Sequence, residues 1–105
     1  MTAIYKLLRA AEWAAFDTAG SFAGSADDLR DGYIHMSAAE QLDGTRNRYF
    51  AGEAGLVLLT LDAEALGDDL RWEEARAGQM FPHLYRPLRR ADISAITMLA
   101  PPLPG

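Results

Sequence analysis

Leu56-Val57-Leu58-Leu59-Thr60-Leu61 is the most hydrophobic run of the chain. It is too short for a typical helix and has no polar alternation, the pattern of a strand in the interior of a sheet. Toward the N-terminus, residues 52–55 read as a turn. Before them Ala38, Leu42, Thr45 and Tyr49 recur at helical spacing behind the capping box Ser37-Ala38-Ala39-Glu40, which predicts a helix over 37–50. Tyr33-Ile34-His35-Met36 then reads as a strand, with Ile34 and Met36 on one face and Tyr33, His35 and Ser37 on the other. Asp31-Gly32 is the turn into it, and Ser25-Ala26-Asp27-Asp28 is a further capping box that starts one helical turn. Residues 4–8 form the first strand. Residues 9–19 form an Ala-rich helix that buries Trp13 and Phe16 and ends at Gly20.

Toward the C-terminus, Asp62 caps a helical turn closed by Gly67, and Leu70-Arg71-Trp72-Glu73 alternates as a strand with Leu70 and Trp72 inward. Residues 74–80 read as a mobile loop, Phe81-Pro82-His83-Leu84-Tyr85 as an extended segment, and residues 93–99 as a last strand before a Pro-rich tail. Two main helices among short strands make an α+β chain. With 105 residues there is room for one core, so the expectation is a single domain over 1–105.

Half of the residues are hydrophobic and 24% are charged, a composition that folds unaided. The net charge of −5 repels polyanions and excludes general nucleic-acid or anionic-membrane binding. Without cysteine there is no disulfide, thiolate metal site or thiol nucleophile. Met1-Thr2-Ala3-Ile4-Tyr5-Lys6 lacks a basic segment followed by a long apolar run, and no run approaches the roughly 20 apolar residues that span a bilayer; the expected location is the cytoplasm. No dinucleotide fingerprint, Walker loop, zinc helix or nucleophile elbow is present.

The informative residues are the two histidines, His35 and His83, each set among aromatic and apolar neighbours. His35 precedes the expected helix start at Ser37, where free backbone N–H groups and the helix dipole favour an anion. The plainer alternative makes Ser37 only a cap and His35 a strand hydrogen-bonder. Pro82 gives His83 a rigid mount beside Tyr85. Glu73 suits an acid, a base or a binder of ribose hydroxyls, or else it pairs with Arg71 or solvent. Arg86, Arg89 and Arg90 form one cationic cluster, and Arg46 with Arg48 another, each on the scale of one phosphate or carboxylate. Trp13, Phe16 and Trp72 read as core, and the acidic stretches near Asp27 and Asp68 as solvated faces. With two histidines and scattered carboxylates, no metal is expected.

The ordered blocks Asp31-Gly32-Tyr33-Ile34-His35-Met36-Ser37, Arg48-Tyr49-Phe50-Ala51-Gly52, Leu56-Val57-Leu58-Leu59, Arg71-Trp72-Glu73 and Phe81-Pro82-His83-Leu84-Tyr85 resemble the domain of unknown function 952 family of bacteria and plants, over nearly the whole length. That family is grouped by remote similarity with the ADP-ribosyltransferase-like fold. The resemblance therefore implies small split antiparallel sheets around a cleft for an NAD-type nucleotide. It places the first strand, His35 and His83 in the cleft. Lys6 departs from the family pattern, where relatives carry histidine, and Arg86 departs where they carry glycine. Lys6 suits a phosphate but does not replace an imidazole, because an ordinary lysine is charged and donor-only. The resulting expectation is a nucleotide or other small-molecule site, with ADP-ribosyl or phosphotransferase chemistry. His35 and His83 are its catalytic residues, and Lys6, Ser37, Arg48, Glu73 and Tyr85 its ligand-binding residues. The alternative is a non-catalytic ligand-binding or protein-interaction module.

Overall fold

The computed structural model describes residues 1–100, so the Pro-rich tail lies outside the described residues. In chain order the elements are β1 (Ala3–Leu8), α1 (Ala10–Ala19), β2 (Ser21–Phe22), α2 (Ala26–Asp31), β3 (Ile34–His35), β4 (Ser37–Ala38), α3 (Leu42–Tyr49), β5 (Val57–Asp62), α4 (Ala63–Leu66), β6 (Leu70–Glu74), β7 (Met80–Leu84), β8 (Leu88–Arg89) and β9 (Ile93–Met98). They form three small antiparallel sheets: β4-β1-β5-β9, β3-β7-β6 and the pair β2-β8. The fold is α+β.

β5 is interior to its sheet, as its composition demands, with β1 on one side and β9 on the other. Val57, Leu59 and Leu61 are buried, whereas Leu58 and Thr60 on the opposite face are half-buried. The unbroken apolar run thus serves one packed face rather than two. Ile4, Leu8, Phe16, Phe22, Ile34, Met36, Leu84 and Leu88 complete the core. α1 contributes Phe16, whose ring stacks on Phe22 at 5.7 Å and meets Trp13 edge-on at 5.6 Å. Its C-terminus closes at Gly20, where φ is +81° and the N–H reaches the Phe16 carbonyl.

Several expectations change. The segment 33–37 is not one strand. β3 pairs with β7 while β4 pairs with β1, and the Met36 N–H between them bonds the Pro82 carbonyl at 3.0 Å. Ile34 and Met36 are both in the core as expected, but Ser37 is buried too, because the chain crosses there from one sheet to the other. Ser37 is therefore a strand residue and not a helix cap. A short 3-10 turn, Ala39–Gln41, precedes α3, and the Gln41 side chain accepts from the Ala38 N–H. Trp72 is 41% exposed rather than core, because β6 is the edge of its sheet. Residues 74–80 are no open loop: β6 and β7 form a hairpin whose turn is fixed by bonds from Ala75 N to Gln79 O and from Gln79 N to Arg76 O. Among the described residues no helix is long and apolar enough to cross a membrane.

Candidate functional site

The register of β3 against β7 sets His35 directly opposite His83. Their rings lie 5.6 Å apart, edge to face, and the Tyr33 ring stacks on His83 at 4.1 Å and lies 4.7 Å from His35. Both histidines line a cavity of about 500 Å³. Its wall takes Lys6 from β1, Asp28 from α2, Ser37 from β4, Thr45 and Tyr49 from α3 and Arg76 from the hairpin turn.

His35 belongs to a buried ionic network. In β1 the period of two puts Lys6 on the same face as the core residues Ile4 and Leu8, so its ammonium must find its partners inside. It donates to Asp28 Oδ2 at 2.9 Å, to Oδ1 at 3.2 Å and to the His35 carbonyl at 2.9 Å. Asp28 also accepts from the His35 amide at 3.0 Å, the His35 ring Nδ1 at 2.6 Å and the Ser25 amide at 2.9 Å. Burial pushes the Asp28 carboxyl upward, but the His35 ring bond, the Lys6 charge and the His35 amide outweigh it. The group is held well below the usual carboxylate range. The other ring nitrogen of His35, Nε2, faces Asp31 Oδ2 at 3.0 Å.

Backbone space behind Asp28 is equally committed. Gly24 has a φ of +132°, and a Cβ there would lie 2.6 Å from the Asp28 Cβ. Gly24→Ala is expected to destabilise the fold by about 1–3 kcal/mol through backbone strain and displacement of Asp28. Chemical denaturation measures this, and an unchanged midpoint would show that Asp28 shifts freely.

His83 is held by a second carboxylate. Its Nδ1 lies 2.9 Å from Glu73 Oε1, and the Tyr85 hydroxyl donates to the same oxygen at 2.5 Å. These hydrogen bonds, the one from Tyr85 foremost and that from His83 next, keep Glu73 below its ordinary range, and Glu73 in turn raises the Tyr85 phenol. A carboxylate only accepts, so Nδ1 carries the proton. His83 is buried, at 3% exposure, and lines the cavity, and among the described residues no hydrogen bond reaches its Nε2.

Residues 7–96 match the family model described as "Protein of unknown function (DUF952)". The chain belongs to the DUF952 family. The crystal structure of Protein CC0527 from Caulobacter crescentus is 49% identical, covers 97% of this chain and 95% of its own, and superposes with a TM-score of 0.91. The solution NMR structure of CC0527 is 52% identical over 95% of this chain and 86% of its own, with a TM-score of 0.86. No curated protein is significantly similar.

In this DUF952 chain the cavity brings together His35, His83, Lys6 and Ser37, with Glu73 and Tyr85 behind His83. Glu73 is bound to His83 and not to Arg71. Arg48 lies off the cavity, against Tyr49, and Ser37 offers a hydroxyl bonded to Thr45 at 2.8 Å rather than a capped helix start. Two arginines of the Arg86 cluster are neutralised: Arg86 bridges Asp92 and Asp69, and Arg90 pairs with Asp17. The acidic stretch near Asp27 is not wholly a solvated face, because Asp28 is 2% exposed. Asp28 and Arg76 escaped the sequence reading. A lysine between two core positions of a strand signals a buried carboxylate but does not say which one, and nothing in the pattern of 74–80 singles out Arg76.

Proposed function

We propose that the cavity is the site of a small-molecule transferase that takes an NAD-type nucleotide, with ADP-ribosyl or phosphoryl transfer as its chemistry. One observation carries this reading: two imidazoles, each with Nδ1 on a carboxylate, meet at one cavity with aromatic faces beside them. Its volume is within the range of small-molecule sites. His83 is the proton acceptor, through Nε2. His35, tied to Asp28 and Asp31, positions and polarises. In ADP-ribosyl transfer the bond from ribose C1′ to nicotinamide breaks, a bond from C1′ to the acceptor oxygen or nitrogen forms, and Nε2 takes the acceptor's proton. The family's grouping by remote similarity with the ADP-ribosyltransferase-like fold points to the same ligand class.

A thermal-shift screen of NAD, ADP-ribose, mononucleotides and sugar phosphates tests the reading. A ligand at a hundredfold excess over its Kd is expected to stabilise the fold by about 2.7 kcal/mol, which is a rise in Tm of roughly 10–20 °C for a chain of this size. A flat response to every nucleotide would sink it.

The second reading, a binding module without turnover, is favoured by the Lys6 network: the ammonium donors are all engaged within the fold and both ring nitrogens of His35 face carboxylates. Stabilisation by NAD without release of nicotinamide would select it.

A further inference from the structure

Arg9, Arg30 and Arg76 are the arginines in the cavity wall. Arg9 is paired with Glu53, and Arg30 with Asp27 and Asp31. Arg76 makes no ion pair among the described residues, in a chain whose carboxylates outnumber its cations by 15 to 10. Its guanidinium is nonetheless fixed. Nη2 donates to Thr45 Oγ1 at 3.1 Å, and the group lies 4.9 Å from the Phe81 ring centre and 5.4 Å from that of Tyr49. Of five N–H donors, one is used. Thr45 Oγ1 also meets the buried Ser37 hydroxyl at 2.8 Å. With Ser37 donating, Thr45 accepts from both neighbours, and its own O–H is left to donate outward.

We propose that Arg76, with the Thr45 hydroxyl that Ser37 orients, is the anion seat of the cavity and takes the phosphate group of a phosphorylated small molecule. The inference rests on the cavity being a ligand site and adds which residue selects for charge. Arg9 and Arg30, the other arginines of the wall, are neutralised, and among the described residues Arg76 alone of the three keeps its charge uncompensated. An arginine held on two aromatic faces with its fork unoccupied is set in advance for an oxyanion, at little cost in ordering. The hairpin turn holds it there through the bond from Gln79 N to Arg76 O.

The test uses the intact protein and three probes: AMP, adenosine and inorganic phosphate. Binding is followed by NMR at the Arg76 Nε–H, the Thr45 amide and the two histidine rings. Phosphate is expected to shift the Arg76 and Thr45 signals saturably, and AMP to bind more tightly than adenosine. Arg76→Gln is expected to weaken AMP binding by roughly ten- to a hundredfold, the size of a charge-assisted pair, and to leave adenosine unchanged. Arg76→Lys should fall between, since a point charge lacks the fork. Unaltered histidine signals certify that each variant is folded. If AMP binds and Arg76→Gln makes no difference, the anion seat is overturned while the nucleotide reading stands. If AMP and adenosine fail to bind but phosphate saturates Arg76 in the wild type and not in Arg76→Gln, the nucleotide reading falls and the seat stands. Silence of AMP and phosphate alike at Arg76 overturns it.

Discussion

Asp28→Asn is expected to destabilise the protein by about 3–5 kcal/mol, the usual loss when one partner of a buried ion pair is removed. Whole domains have stabilities of about 5–15 kcal/mol, so this is a large share. The reason lies in the number of groups that converge on one carboxylate. The amides of Ser25 and His35, the His35 ring and the Lys6 ammonium all donate to it. An asparagine side chain has one acceptor oxygen, and its NH2 would face donors. Lys6 would keep its charge at 7% exposure with the His35 carbonyl and one neutral amide oxygen as acceptors and no counter-charge. Replacing both partners, as in Lys6→Met with Asp28→Asn, should cost less than the single change, because the orphaned charge is gone.

Acid provides a second readout of the same pair. The folded Asp28 carboxyl lies below its unfolded value of about 3.9. Its stabilising contribution is therefore fully present above that value and is lost as pH falls toward the folded one. Urea midpoints measured between pH 7 and pH 3 should fall more steeply at the acid end in the wild type than in Asp28→Asn. Parallel profiles, or a single variant as stable as the wild type, would mean that the network contributes nothing net.

The parts of the fold legible in the sequence are those fixed by one strong local pattern. β5 announced itself by an apolar run and α1 by an Ala-rich stretch ended by glycine, and both lie where their composition requires. The meeting of His35 and His83 was legible only as a guess about economy of sites, since their register comes from β3 crossing to β7. Ser37 misled because Ser-x-x-Glu is a good cap pattern, yet the strand β4 claimed the residue through its pairing with Tyr5. Asp28 was hidden by its second role. It does complete the capping box with Ser25, which accounts for the residue locally and gives no reason to look for the Lys6 contact from 22 positions away. Arg76 was hidden because a hairpin turn has no period from which a side chain's direction can be read.

Glu73→Gln is expected to lower turnover by roughly 10²–10⁴ if the cavity transfers ADP-ribosyl or phosphoryl groups, with ligand affinity nearly unchanged. Glu73 touches His83 through Nδ1 and is outside the cavity wall, so its substitution removes no contact with the ligand. What it changes is which ring nitrogen holds the proton. The carboxylate can only accept, so Nδ1 is the donor and Nε2 the base. A glutamine can present its NH2 group to Nδ1 instead, which moves the ring proton to Nε2 and leaves no base at the cavity. The Tyr85 hydroxyl keeps Glu73 ionised to below its ordinary range, so Glu73 itself sets no acid limb at mildly acidic pH. His83→Ala should reduce the rate at least as far, and adding the Glu73 change to it should cost little more, because the two act as one unit. Nicotinamide release from NAD, measured beside thermal-shift affinities for each variant, decides the matter. Wild-type turnover in Glu73→Gln would remove His83 as the base, whereas equal losses in rate and affinity would make the pair part of the binding surface.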